Sequence, residues 1–172
     1  MTIKIQRRAL GLLGAGLGLA LAGGLLSCGS GTSAPAGTLL PDSAFQVEWL
    51  SLNAPKQMKP GEVATVQVSF RNASDITWPD PKAAEPAATG AYAVRLAWRW
   101  RTSEDMPPGE GTTNRVDLAK PVGPGETATL SIDVTAPTQP GQYTLQLDLV
   151  QEMVSWFEAH GAAKQLAPVT VQ

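Results

Sequence analysis

Asp148 and Glu152 stand four residues apart in LDLVQEMVSWF, among Leu147, Leu149 and Val150 and just before Trp156-Phe157. Two carboxyl groups beside aromatic rings are the equipment of glycoside hydrolysis, one serving as acid and the other as base or nucleophile. The competing reading is structural. Asp148 then lies on the polar face of a strand and pairs with Arg95 or Arg99 of a neighbouring strand, a contact that stabilises a sheet by roughly 0.2–1 kcal/mol. We favour the structural pair. His160 is the only histidine and Cys28 the only cysteine, so neither a zinc site nor a cysteine–histidine pair can be assembled. His160 is expected to be a solvent-exposed turn residue. No Gly-x-Ser-x-Gly elbow is present. Met58, Met106 and Met153 are scattered, which argues against a soft-metal site, and no glycine-rich phosphate loop opens a helix. The expectation is therefore no catalytic residue, no metal and no cofactor.

Aromatic residues are the better candidates for binding. The chain has five tryptophans against two tyrosines and three phenylalanines, and tryptophan faces suit sugar rings and proline-rich peptides. Trp98 and Trp100 alternate within YAVRLAWRW and are expected to face a core. Trp78 and the pair Trp156-Phe157 fall at corners, where partial exposure is expected. Together with Arg95 and Arg99 they make up the candidate binding surface.

These residues need elements to hold them. Gly141–Phe157 organises the chain: Tyr143, Leu145, Leu147 and Leu149 share one face, and Thr144, Gln146 and Asp148 share the other. That period of two marks a strand with an apolar inner and a polar outer side. The same alternation runs through 45–52, 63–72, 92–100 and 127–134, with weaker strands at 113–118 and 166–171. Pro60-Gly61-Glu62 and Pro124-Gly125-Glu126 are one turn signal used twice. Asn72, Ser74 and Asp75 mark a corner, because their side chains can bond nearby backbone groups. No convincing amphipathic helix interrupts the series. The pattern predicts an all-β fold, an immunoglobulin-like β-sandwich of about seven antiparallel strands, with a closed barrel as the alternative.

The amino terminus sets the address. Lys4, Arg7 and Arg8 precede an apolar, glycine-rich run from Ala9 to Leu26, which reads as an export signal. Leu25-Leu26-Ser27-Cys28 resembles the lipobox of bacterial lipoproteins, and the resemblance implies cleavage before Cys28 and lipidation of its thiol. The expected layout is a signal peptide over 1–27, a flexible linker carrying the lipid over 28–43, and the sandwich over 44–172. Arg7-Arg8 faintly suggests a twin-arginine signal, although the general secretory route is favoured. Loss of residues 1–27 removes three basic residues and no acid, taking the net charge from −2 to −5. An acidic chain does not favour nucleic acid. Gly29 after the lipid site lacks the aspartate associated with inner-membrane retention, which points to an outer membrane or cell surface.

Phe70-Arg71-Asn72-Ala73-Ser74, Thr77-Trp78-Pro79, Pro140-Gly141-Gln142-Tyr143 and Trp156-Phe157 together resemble the immunoglobulin-like four-tryptophan domain of selective-autophagy receptors. Val94-Arg95-Leu96-Ala97-Trp98-Arg99-Trp100, the Pro-Gly-Glu turn and Leu147-Asp148-Leu149-Val150 are similar to a sandwich module appended to bacterial surface-polysaccharide enzymes. The resemblance implies a sandwich fold and leaves function open. The sequence thus points to a membrane-anchored binding or scaffolding module with an envelope protein or polysaccharide as partner. A carboxylate-dependent glycan hydrolase and a structural envelope spacer are the alternatives.

Overall fold

The computed structural model describes residues 32–33, 39–79, 92–102 and 114–172. The signal segment, Cys28 and most of the expected linker lie outside the described residues, as do loops expected over 81–90 and 102–111, except that Thr102 ends a strand instead.

Eleven strands are described: β1 (Thr32–Ser33), β2 (Val47–Asn53), β3 (Gln57–Met58), β4 (Val63–Asn72), β5 (Ile76–Thr77), β6 (Val94–Thr102), β7 (Asn114–Asp117), β8 (Thr127–Thr135), β9 (Gly141–Gln151), β10 (Ser155–Trp156) and β11 (Gln165–Val171). β1 and β5 form a small parallel pair; of the two main sheets, one has the order β2-β4-β8 and the other runs β3-β11-β9-β6-β7 with β10 returning on β9. The chain changes sheet after β2, after β3, after β4, after β7 and after β8, which is immunoglobulin-like Greek-key connectivity. Among the described residues no ladder joins the two sheets, so the fold is an open sandwich and the barrel alternative fails.

The core lies where the apolar rows of the two sheets meet. Val66, Val68 and Phe70 of β4 and Ile132 and Val134 of β8 face Leu96 and Trp98 of β6 and Leu145, Leu147 and Leu149 of β9. Each such side chain contributes about 1.5–3 kcal/mol on leaving water. The period-two reading holds best on β4, whose expected and observed ends coincide at Val63 and Asn72.

Several elements differ from expectation. Phe45 does not begin a strand; it closes a 3-10 turn over Asp42–Ala44. Packing reaches back to Leu40, inside the segment expected to be linker, where the Leu40 N–H donates to Gln151 Oε1 at 3.2 Å. Tyr92 lies outside β6 with φ +66°, held by its N–H donating to the Glu152 carbonyl at 3.1 Å. β3 was not foreseen: its two residues pair parallel with Thr170 and Val171, a match too short to leave an alternation.

The two Pro-Gly-Glu turns are one device. In each the glutamate N–H donates to the carbonyl three residues back, Glu62 to Lys59 and Glu126 to Gly123, both at 3.0 Å. Each carboxylate then accepts an N–H from that same earlier residue.

Candidate functional site

Of the five candidate surface residues, two are interior. Trp78 and Phe157 are both 0% exposed. The Trp78 indole donates to the Ala44 carbonyl at 2.8 Å, and its ring meets Phe157 edge-on at 5.2 Å. Expected partial exposure is thus replaced by burial, because the 3-10 turn at Asp42–Ala44 brings a carbonyl to the indole and both rings fill the end of the core.

Trp156, Arg95 and Arg99 do come together, on the outer face of the β7-β6-β9 side of the larger sheet. The register explains how. Along β6 the outward row is Arg95, Ala97, Arg99 and Arg101, standing opposite Val150, Asp148, Gln146 and Thr144 of β9. Arg115 of β7 stands opposite Ala97 and Asp117 opposite Arg95. After β9, the chain doubles back as β10 with Trp156 beside Val150. Phe157 then turns into the core and anchors a second 3-10 turn over Phe157–His160. Adjacent residues of an extended chain point to opposite sides, so an inward Phe157 leaves Trp156 facing outward. The guanidinium of Arg99 lies 5.4 Å from the Trp156 ring centroid and that of Arg115 5.2 Å away.

Carboxylates hold these arginines in place. Arg95 pairs with Asp117 at 2.6 Å and with Glu152 at 3.6 Å. Arg115 pairs with Glu152 at 2.6 Å. Glu158 takes Arg99 at 3.1 Å and Lys164 at 2.7 Å. Burial alone would raise the pKa of Glu158, but Lys164 and Arg99 outweigh that and hold it below the usual glutamate value. Arg101 Nη1 donates to Gln146 Oε1 at 2.7 Å.

Under this network Gln146 and Asp148, on the polar side of β9, are buried, contrary to the expected exposed face. Asp148 is 1% exposed. Its partners are backbone groups rather than Arg95 or Arg99: Oδ1 accepts the Leu149 N–H at 2.8 Å and Oδ2 the Glu158 N–H at 3.3 Å. Burial pushes its pKa up to about 7, with the Glu158 carboxylate adding to the rise and the two N–H donors and Arg99 opposing it. The reason for the burial is the return of β10 and the second 3-10 turn over a face that periodicity alone leaves open.

A raised carboxyl pKa is a mark of acid catalysis, yet the surroundings do not supply the rest of a hydrolase. The depression bounded by Ala97, Arg99, Gln146, Asp148 and Trp156 leaves no room for a water molecule. Glu152 is engaged by Arg95 and Arg115 and stands four residues along the chain, about 13 Å at strand spacing. Paired glycosidase carboxyls lie about 5–9.5 Å apart across a groove. His160 is an exposed residue at the end of the second 3-10 turn, as expected, with its ring stacked on Phe45 at 3.8 Å and Nδ1 3.3 Å from Asp42. No cluster of three or more metal-ligating side chains occurs among the described residues. Arg115, Gln146, Glu158 and Lys164 escaped sequence reasoning. For Arg115 the signal was Asn114-Arg115-Val116-Asp117, an alternation that places a cation beside the β6 arginines.

No protein-family model matches the chain, and no curated protein matches it. Among solved structures it is similar to a CARDB domain from Pyrococcus furiosus in complex with di-metal ions, at 17% identity and TM-score 0.44 over 74% of this chain and 86% of that one. It is also similar to the sporulation control protein Spo0M of Bacillus subtilis, at 14% identity and TM-score 0.41 over 74% of this chain and 49% of that one. A mutant β-glucosidase from Listeria innocua in complex with laminaribiose matches at 17% identity and TM-score 0.38, over 74% of this chain but 16% of the enzyme. Likenesses at these scores carry no functional inference, and the fold rests on the strand order above.

Proposed function

We propose that the protein is a lipid-anchored, extracytoplasmic binding module whose docking surface is the outer face built around Trp156. Lipidation at Cys28 holds it on the membrane of the cell envelope, and the linker presents the sandwich to a protein partner. The single observation that carries this reading is the contact of Trp156 with both Arg99 and Arg115, each arginine fixed by a carboxylate. Tryptophan and arginine are the residue types that dominate binding energy at protein interfaces. Side chains already held in place lose less freedom when a partner arrives. The face is a sheet surface whose depression beside Trp156 is too small for water, whereas small ligands call for a concave site. A protein surface therefore suits it better than a small ligand.

The test places a photo-crosslinking residue at Met153, which is 83% exposed beside the β10 return, in the full chain within intact envelopes. The control position is Gln67, outward on the opposite sheet. The expected result is a discrete protein adduct from position 153 that disappears in the Trp156→Ala background and is absent from position 67. Identical products from both positions, or none from either, would overturn the reading and favour a spacer. A glycan adduct would overturn the choice of a protein partner. The anchor is tested separately: labelled palmitate should enter the wild-type chain and fail to enter Cys28→Ala.

A further inference from the structure

The sheet β2-β4-β8 ends in an edge that the rest of the fold does not explain. Unpaired strand edges invite pairing with another chain, and proteins usually block them with bulges, proline, charge or short length. The other edges here carry such blocks. β2 has a register shift between Trp49 and Ser51, leaving Leu50 as the extra residue. β11 carries Pro168, and the N–H groups of Thr170 and Gln172 bond to Lys56 and Met58 beyond it; the proline stands two residues earlier on that same outer side, where its missing N–H removes a donor. β7 is four residues long and bears Arg115 and Asp117.

β8 is long and regular, and its single charge is Asp133. Thr127–Thr135 pairs with β4 in unbroken register over all nine residues and contains no proline, lysine or glycine. The N–H of Ala136 donates to Glu62 and the carbonyl of Glu126 accepts from Asn72, so the even-numbered residues of β8 face β4. The N–H and C=O groups of Thr127, Thr129, Ser131, Asp133 and Thr135 consequently face outward along the edge. Among the described residues the one bond to that edge is from the Trp100 indole to the Thr135 carbonyl, at 2.7 Å.

We infer that β8 is the interface for a second copy of this chain, pairing antiparallel with its own equivalent across a two-fold axis at Ser131. That axis is the one that pairs all nine residues. It places Ser131 against Ser131, Thr129 against Asp133 and Thr127 against Thr135, with outward-facing donors opposite acceptors; the Thr135 carbonyl is already engaged by the Trp100 indole, so that last pair forms through the Thr135 N–H. On the inner side Leu130 meets Ile132 and Ala128 meets Val134, which extends the apolar layer. Asp133 is the only charged residue of the strand and never faces its own copy; the two carboxylates stand about 13 Å apart along the strand. The register thus pairs the strand with its own copy without opposing like charges, as a two-fold interface requires, and the product is a continuous six-stranded sheet. The inference does not rest on the Trp156 face, which belongs to the other sheet.

The experiment is disulfide trapping of the full chain in its own membrane. Ser131→Cys should form a covalent dimer on mild oxidation, because strand-paired positions at the axis lie within disulfide reach. Thr127→Cys alone, Gln67→Cys and the wild-type chain should not. Thr127→Cys mixed with Thr135→Cys should cross-link only when both are present. Equal dimer from Ser131→Cys and Gln67→Cys would overturn the inference, as would efficient self-linking of Thr127→Cys or an adduct of Ser131→Cys with a different protein. A second variant guards against trapping artefacts. Ser131→Lys leaves the monomer fold intact, since the side chain faces solvent, but sets two ammonium groups against each other. Light scattering of the full chain in detergent should show dimer for wild type and monomer for Ser131→Lys; a variant that remains dimeric with native circular dichroism would sink the proposal.

Discussion

The carboxylate of Asp148, buried on the central strand of the larger sheet, accepts the backbone N–H of Glu158 at 3.3 Å and so ties the second 3-10 turn to β9. This bond has a cost that depends on pH. The native pKa of Asp148 is pushed from 3.8 to about 7, chiefly by burial. Between those values the folded protein holds a proton that the unfolded chain has released, so stability falls as pH rises through the interval and levels off above it. Glu158, held low, acts in the opposite sense, losing its contribution as pH drops below about 4.5. Comparing wild type with Asp148→Asn isolates the first effect. Urea unfolding at pH 4.5, 6 and 7.5 should show the wild type losing stability relative to the variant by several kcal/mol across the series. Parallel curves would mean that Asp148 titrates as an ordinary aspartate.

Trp78 and Trp156 should respond oppositely to truncation. Trp78 fills the core end and donates to Ala44, so Trp78→Ala should cost about 3–5 kcal/mol in urea unfolding. Trp156 is half-buried on the outer face with two guanidinium contacts, each worth about 0.5–1 kcal/mol at such a site. Trp156→Ala should therefore cost no more than about 2 kcal/mol while abolishing partner capture. A larger loss for Trp156 than for Trp78 would reverse the assignment of surface and core.

The contrast between these two tryptophans also shows how far the sequence could be read. Alternation located β4, β6, β8, β9 and β11, because a strand with one apolar face writes its period into the chain. The repeated Pro-Gly-Glu signal returned as two matching turns. The burial of Trp78 depends on Ala44, thirty-four residues away, and a contact that remote leaves no local pattern. Gln146 and Asp148 looked like an outward face because their period is right. They are covered by Trp156 and Glu158, whose return over β9 is a tertiary event. Arg95 and Arg99 were identified correctly as outward, but with the wrong partners: the register sets Ala97, not an arginine, directly opposite Asp148.

Asn72 pins the corner after β4 with its whole side chain. Nδ2 donates to the carbonyls of Ile76 and Val122, both at 2.8 Å. Oδ1 accepts from the Ser74 N–H at 2.9 Å and the Ser74 hydroxyl at 2.7 Å. Asn72→Ala leaves buried partners unpaired, and a stability loss of about 2–4 kcal/mol is expected. Asn72→Asp should lose at least as much at pH 8, since it turns a carboxylate oxygen toward two carbonyls. Loss below 1 kcal/mol for either variant would show that water replaces these bonds at about their full worth.

Gly125 offers the cleanest backbone test. Its φ is +73°, matching +71° at Gly61 in the equivalent turn. A Cβ on Gly125 would meet nothing within 4 Å, so any penalty for a side chain there is conformational rather than steric crowding. Gly125→Ala should cost about 1–2 kcal/mol, the strain of an L-residue in the left-handed region. Gly125→Asn should recover part of that, because asparagine visits the region more readily. Gly123 is the control: its φ is not positive, and an added Cβ would lie 3.5 Å from the Glu126 side chain, an ordinary contact. Thermal or urea unfolding should therefore rank Gly123→Ala nearest wild type, Gly125→Asn next and Gly125→Ala lowest. Equal effects at 123 and 125 would mean that freedom lost by the unfolded chain, rather than the turn geometry, sets the outcome.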